Sequence, residues 1–172
     1  MPKMIIVDTK RCLGCHACEI ACAVEHSESR DLLLAIHERV LPVPRVKVMA
    51  VGEINIPMQC HHCEDAPCAA VCPTKALHRE SENAPVTFRP ELCIGCSSCV
   101  LVCPFGIIHR TGDQIIKCDL CFGRLEQGQD PACITACPTK ARRVGVAEDL
   151  AREKMKKAVE VMAEELKKET AG

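Results

Sequence analysis

Short stretches in which apolar and polar residues alternate occur along most of the chain, and they predict short strands joined by turns. Alternation over 46–51 and 53–56, on either side of Gly52, predicts a β-hairpin. Three further β-rich runs each adjoin a group of cysteines, at 4–7, 86–88 and 107–110. The pattern therefore predicts small sheets distributed among cysteine-rich loops.

Two stretches have helical periodicity instead. A short helix is predicted over 31–40, ending before Pro42 and Pro44. Over 147–168, apolar residues recur at helical spacing opposite Lys and Glu, at Ala151, Met155, Val159, Met162 and Leu166. This pattern predicts an amphipathic C-terminal helix, and such a helix more often packs on its own domain than against a partner.

The cysteines form an internal repeat of four groups of four, which accounts for all 16 cysteines of the 172-residue chain. Each group opens with C-x2-C and closes with C-x3-C, and the middle spacing is two, four, two or eleven residues. The surrounding residues also repeat: C-L-G-C at 12–15 resembles C-I-G-C at 93–96, and C-P-T-K-A occurs at both 72–76 and 137–141. The repetition predicts four related ligand sets.

The spacing of group three, C-x2-C-x2-C-x3-C followed by Pro104, is the signature of bacterial ferredoxins. The first three thiolates of such a run bind one [4Fe–4S] cluster, and the fourth binds a neighbouring cluster. Gly14 and Gly95 allow the backbone to approach sulfur closely. We therefore expect the 16 cysteines to bind four [4Fe–4S] clusters.

Two other uses of clustered cysteines compete with this interpretation. Disulfides require an oxidising compartment, but residues 1–8 lack the long apolar stretch of a signal peptide. Zinc is the stronger rival, because two C-x2-C pairs form a tetrahedral zinc site. Zinc leaves the third cysteine of each C-x2-C-x2-C run without a role, so iron–sulfur clusters are favoured.

Two-cluster ferredoxins pair two cysteine groups, and each group donates its last cysteine to the cluster of the other. Groups two and three are separated by 20 residues, which is enough for one such unit, and groups one and four pair by elimination. We number each predicted ligand set by the group that supplies three of its cysteines. Site 1 is Cys12, Cys15, Cys18 and Cys137; site 2 is Cys60, Cys63, Cys68 and Cys103; site 3 is Cys93, Cys96, Cys99 and Cys72; site 4 is Cys118, Cys121, Cys133 and Cys22.

The order of the groups, the C-x2-C-x4-C-x3-C-P second group and the wide fourth group resemble one family over residues 3–146. It comprises the four-cluster electron-transfer subunits of the dimethyl-sulfoxide-reductase B-subunit type. Its small soluble members accompany carbon monoxide dehydrogenase, formate-linked hydrogenases and tungsten aldehyde oxidoreductases. The short connections and the lack of a membrane-anchoring C-terminal span resemble these soluble members.

The resemblance implies an α+β fold of two interlocked ferredoxin-like modules with short strands and helices. The outer module is expected over 1–58 and 104–146, the inner module over 59–103, and the C-terminal helix over 147–172. In the family, the cluster at site 1 lies nearest the catalytic subunit and the cluster at site 3 lies at the far end. The clusters at sites 4 and 2 lie between them.

The resemblance also implies a function. Single electrons pass between a large catalytic subunit and an acceptor such as a flavin or a ferredoxin, within a hetero-oligomer. The catalytic partner is expected to be a molybdenum or tungsten enzyme, carbon monoxide dehydrogenase or hydrogenase. The alternative is a free-standing polyferredoxin that diffuses between its partners.

Composition excludes other functions. The net charge is −1 and Trp and Tyr are absent, so neither a basic surface nor stacking side chains indicate nucleic-acid binding.

The chain has no G-x-G-x-x-G, P-loop or nucleophile–base pair, so we expect it to be non-catalytic. The longest apolar runs, such as 32–36, are too short for a membrane span, and a cytoplasmic location is expected.

Other candidate side chains lie beside the cysteines. We expect no histidine to bind iron, because the cysteines already supply four clusters; the histidines inside cysteine loops are His16, His61 and His62. Three lysines lie beside ligand cysteines: Lys75, Lys117 and Lys140. Each either offsets the charge of a cluster, which would raise the cluster's potential, or lies on a solvated face of the protein; the sequence favours neither.

Overall fold

Four two-stranded antiparallel sheets alternate with short helices in the computed structural model, which describes residues 3–170. The predicted ranges also include residues 1–2 and 171–172, which lie outside the described residues. The strands are β1 Met4–Val7, β2 Val46–Val51, β3 Ile54–Gln59, β4 Leu77–His78, β5 Thr87–Phe88, β6 His109–Thr111, β7 Gln114–Ile116 and β8 Arg142–Gly145. The helices are α1 Ala17–Glu25, α2 Leu32–Ala35, α3 Pro67–Ala70, α4 Ser98–Val102, α5 Phe122–Glu126, α6 Ala132–Thr135 and α7 Ala147–Thr170. This is a small α+β fold, as predicted.

The hairpin predicted around Gly52 forms from β2 and β3, and β3 continues to Gln59 instead of ending at residue 56. Gly52 has a φ of +59°, a left-handed conformation that a hairpin turn requires and glycine adopts readily. Strand β1 has the predicted bounds. Strand β5 is one residue shorter than predicted, and β6 begins at His109 instead of residue 107.

The helix predicted over 31–40 is wrong in length, because α2 ends at Ala35. Asp31 caps this helix, since its carboxylate accepts hydrogen bonds from two backbone N–H groups of the first turn. The carboxylate of Glu38 instead accepts hydrogen bonds from the backbone N–H and the hydroxyl of Ser29, at 2.8 and 2.7 Å. These bonds fold the chain back, so residues after α2 form turns.

The same sheet arrangement occurs twice around the cysteine groups. Strand β1 precedes group one and pairs with β8, which follows group four; β5 precedes group three and pairs with β4, which follows group two. One backbone hydrogen bond continues each pairing: Asp8 N–H donates to the Ala141 carbonyl and Arg89 N–H donates to the Ala76 carbonyl, both at 2.8 Å. The repeated sequence therefore has a repeated backbone geometry.

Cysteines form part of the buried core, which is divided into clusters. One cluster joins β1, β2 and the loops of groups one and four, with Ile5, Val46, Val48, Leu120, Cys18, Cys22 and Cys133. Another surrounds groups two and three, with Ala66, Leu77, Val86, Ile108, Ile115, Cys68 and Cys99. The sequence assigned 104–146 to the outer module, yet Ile108 and Ile115 lie in the second cluster, because β6 and β7 fold back over group three.

Helix α7 extends away from the rest of the protein. Its predicted apolar residues are exposed, with Met155 66% accessible, and this differs from the expectation that the helix packs on its own domain. Near its start, the carboxylate of Glu153 accepts a hydrogen bond from Arg143 in β8. Neither this helix nor any other among the described residues is long and apolar enough to cross a membrane.

Candidate metal centres

Three cavities of the same size are each lined by four cysteines. Each holds about 330 Å³ of empty space, including its opening to solvent. Three cysteines of each cavity come from one group and the fourth comes from the paired group. The sets are Cys93, Cys96, Cys99 with Cys72; Cys60, Cys63, Cys68 with Cys103; and Cys12, Cys15, Cys18 with Cys137. They are the sets assigned from the sequence to sites 3, 2 and 1.

The four cysteines assigned to site 4 are all buried. Burial raises the pKa of the Cys22 thiol to about 12 and that of Cys121 to about 11, and both thiols lie near Cys133. Cys118 packs in a small cluster with Cys60 of site 2. Sites 2 and 4 therefore adjoin each other.

Two glycines allow the cysteine loops of sites 1 and 3 to close. Gly14 and Gly95 have the same φ of +67°, which a residue with a Cβ adopts only with strain. A Cβ at Gly14 would lie 2.7 Å from the Asn55 side chain, and a Cβ at Gly95 would lie 3.3 Å from the Asp113 carbonyl oxygen. Both positions therefore combine a left-handed backbone with a close neighbour from another segment of the chain.

Backbone N–H groups point at cysteine sulfur atoms in equivalent loops. The N–H of His62 donates to Cys60 Sγ and the N–H of Leu120 donates to Cys118 Sγ, both at 3.4 Å. Both donors have a positive φ, which turns the amide toward the sulfur. Hydrogen bonds of this kind stabilise a thiolate and influence the potential of a cluster that it binds.

The last cysteines of groups two and four each lie beside a threonine hydroxyl and accept a hydrogen bond from a backbone N–H. Cys72 Sγ accepts from the Leu77 N–H at 3.5 Å and lies 3.8 Å from the Thr74 hydroxyl. Burial tends to raise the pKa of this thiol, but these hydrogen bonds outweigh it and lower the pKa. The pKa of Cys137 is lowered in the same way, with Thr139 in place of Thr74. Both cysteines thus lose their proton more easily than an ordinary thiol does.

A polar network borders site 4. His26 Nδ1–H donates to the Cys22 carbonyl at 2.7 Å, and His26 Nε2 lies 3.2 Å from the Asp119 carboxylate. Arg45 pairs with Asp119 at 2.8 Å, and its backbone N–H donates to Cys22 Sγ at 3.2 Å. Burial tends to raise the pKa of Asp119, but His26 and Arg45 hold it well below its usual range. Sequence reasoning missed this network, since its members are far apart in the chain.

The histidines of the cysteine loops have other partners. His62 is fully buried beside site 2, its Nδ1 accepts from the Val86 N–H at 3.1 Å, and burial holds its pKa well below the usual range. The ring of His61 lies 4.2 Å from that of Phe105. His16 is exposed and lies 3.1 Å from the Glu19 carboxylate. Because Nδ1 accepts the bond from the Val86 N–H, the His62 ring carries its hydrogen on Nε2, which has no hydrogen-bond partner among the described residues.

The three lysines beside the cysteines differ in burial. Lys75 and Lys140 are exposed, whereas Lys117 is buried. The Lys117 ammonium donates to the carbonyls of Val86 and Cys118, at 2.7 and 2.9 Å. Its partners carry no charge, so it is the lysine that can compensate a buried negative charge.

The donor sets fit an iron–sulfur cluster. Four cysteines converge on each cavity, and soft thiolate ligands select iron–sulfur clusters or zinc. All three cysteines that one group contributes to a cavity line it together with the last cysteine of the paired group, and this is the ligand arrangement of paired [4Fe–4S] clusters.

The family to which the chain belongs agrees with this chemistry. The family described as the 4Fe–4S dicluster domain matches residues 52–147. The chain therefore belongs to the 4Fe–4S dicluster family. Its curated relatives include iron–sulfur and electron-transport proteins. Family membership confirms the resemblance predicted from the cysteine groups.

Three curated relatives show how far the likeness extends. The putative electron transport protein YsaA of Escherichia coli K12 is 41% identical over 160 residues, covering 91% of this chain and 98% of the relative. The electron transport protein HydN of the same strain is 40% identical, covering 82% and 86%. Formate hydrogenlyase subunit 2 of that strain is 33% identical, covering 88% and 86%. The likeness thus spans at least 82% of this chain and at least 86% of each relative.

Proposed function

We propose that the protein relays single electrons through four [4Fe–4S] clusters, between a catalytic oxidoreductase subunit and an acceptor. The observation that carries the proposal is that each of three cavities gathers three cysteines of one group and one of its partner group. The clusters supply the one-electron chemistry. The chain holds them in fixed positions and provides hydrogen bonds to their sulfur ligands.

We propose that the ligands belong to two interlocked modules, each with two clusters. The repeated strand pairs support this, because β1–β8 encloses groups one and four while β4–β5 encloses groups two and three. The hairpin β6–β7 is assigned to the inner module, since Ile115 packs beside Leu77. The C-terminal helix α7 is a separate extension.

The proposed order of the relay is site 1, site 4, site 2 and site 3. Cys15 and Cys96 are the exposed cysteines, one in each of sites 1 and 3. The contact between Cys60 and Cys118 supports adjacent sites 2 and 4 in the middle. Each end also carries an exposed apolar residue beside its cysteines, Leu13 at 68% and Ile94 at 66% accessible. Both ends are therefore suited to contact a redox partner.

We propose a catalytic oxidoreductase subunit as the partner at site 1. Formate hydrogenlyase subunit 2, one of the relatives, is by its name a subunit of a catalytic complex. Size-exclusion chromatography of an anaerobic extract tests this proposal: elution with a larger subunit supports it, and elution as a monomer would indicate a diffusing carrier.

The ligand sets themselves are tested by counting clusters with native mass spectrometry. The double variant Cys72→Ala, Cys96→Ala alters one proposed site, so it should retain three intact cubanes. The matched variant Cys63→Ala, Cys96→Ala alters two sites and should retain two. Equal counts in the two variants would contradict the exchange of last cysteines between groups.

A further inference from the structure

Arg142 is a buried cation in the core of the outer module. Arg142 is only 3% exposed and lines the cavity of site 1. One guanidinium nitrogen, Nη2, donates to the Gln59 side-chain oxygen at 2.7 Å. The other two, Nε and Nη1, are buried without a hydrogen-bond partner among the described residues. Three N–H bonds of a charged group, one on Nε and two on Nη1, are thus available to a ligand.

The inner module has a leucine at the equivalent position. Arg142 pairs with Val7 in the β1–β8 sheet, and Leu77 pairs with Phe88 in the β4–β5 sheet. Each follows a C-P-T-K-A run directly, at the same distance from the last cysteine of its group. Leu77 is 1% exposed. The same backbone position therefore carries a buried apolar side chain in one module and a buried charge in the other.

A buried guanidinium is destabilising unless negative charge lies nearby. Its hydrogen-bonded partner, the amide of Gln59, is neutral. Arg142 lines the site 1 cavity together with Cys18 and Cys137. Its strand β8 also packs against α6, which carries Cys133 of site 4, and Cys133 shares a buried cluster with Cys18. The guanidinium is thus close to cysteines of both outer sites.

We infer that Arg142 compensates the negative charge of the clusters at sites 1 and 4 and raises their reduction potentials relative to those at sites 2 and 3. The inference rests on the proposed ligand sets. Lys117 does not create this contrast, because it lies near both Cys68 of site 2 and Cys118 of site 4. The module that faces the proposed catalytic subunit is therefore the one that holds electrons more favourably.

Arg142→Leu copies the inner module and tests the inference. Arg143→Leu is the control, since Arg143 is the next residue of the same strand, its side chain is 41% exposed, and the change in net charge is identical. The measurement is a redox titration of the reduced clusters followed by electron paramagnetic resonance. In Arg142→Leu, two midpoint potentials should become more negative while two stay unchanged. Arg143→Leu should leave all four unchanged, and Arg142→Lys should shift them less than Arg142→Leu.

Iron analysis separates failure of the inference from failure of the proposed function. A wild-type protein with fewer than four clusters overturns the ligand sets, whereas an Arg142→Leu protein with full iron and unchanged potentials overturns only the role of Arg142. If Arg142→Leu loses iron, pulsed resonance of reduced wild-type protein carrying ¹⁵N-arginine decides the question. A ¹⁵N coupling that disappears in Arg142→Lys supports the inference, and its absence from wild-type protein contradicts it.

Discussion

The backbone N–H of Asp8 donates to the carbonyl of Ala141 at 2.8 Å, so the residue before the first cysteine loop is fixed to the residue after the last one. Strands β1 and β8 extend this contact through four further residue pairs. This pairing brings together the regions that precede cysteine group one and follow cysteine group four. We expect both regions to be needed for the cysteines of the proposed outer module to converge.

A truncation should reveal this closure. A chain of residues 1–146 lacks only α7, whose apolar residues are largely exposed, and it should retain the iron content of the full protein. A chain of residues 1–141 also lacks β8, which carries the buried Arg142, and it should lose the clusters of the outer module. Iron analysis of the two chains is the measurement, and equal iron in both would contradict the closure.

Gly14→Ala should destabilise site 1. The left-handed backbone costs a residue with a Cβ about 1–2 kcal/mol, and the new Cβ also forces the Asn55 side chain to move. Gly52→Ala is the control, because Gly52 also has a positive φ but a Cβ there meets nothing within 4 Å. Gly14→Ala should release iron at lower denaturant concentration than Gly52→Ala, and equal sensitivity would contradict the steric role.

Lys117→Met should destabilise the holo-protein without preventing folding. The substitution leaves the carbonyls of Val86 and Cys118 without their donor, and a buried unsatisfied group costs about 1–3 kcal/mol. Lys47→Met is the matched control at an exposed position. Anaerobic denaturation should show a lower midpoint for Lys117→Met alone. Identical midpoints would show that the two hydrogen bonds contribute little.

The order of the relay predicts different effects at its two ends. Cys96→Ser should impair electron delivery to the distal acceptor while the partner enzyme retains its turnover with an artificial dye. Cys15→Ser should instead interrupt electron transfer from the partner into the relay. Retained binding to the partner must be shown first for both variants. If Cys96→Ser alone abolishes electron entry in an intact complex, the order is reversed.

Cysteine spacing predicts the three cysteines that one loop contributes to each of three cavities, because those residues are close in sequence. The distant fourth cysteines, such as Cys137 beside Cys12, required the analogy with paired ferredoxin groups. The helix over 31–40 was wrong because Glu38 bonds to Ser29, a contact that local periodicity does not report.

Other features of the site depend on packing between distant segments. The pairing of His26 with Asp119 leaves no pattern in the sequence, since it joins two cysteine groups through the fold. Arg142 is different, because alignment of the two C-P-T-K-A runs already shows that Arg142 and Leu77 occupy equivalent positions in the two repeats. Its burial and its unpaired N–H groups nevertheless required the structure.

The central claim is that the 16 cysteines hold four [4Fe–4S] clusters. Iron and acid-labile sulfide analysis of anaerobically purified protein tests it most directly, and the account predicts about 16 of each per chain. Chelation of the iron should then unfold the chain, because the cysteines form much of the buried core. Stoichiometric zinc without labile sulfide, or about eight iron per chain, would contradict the claim.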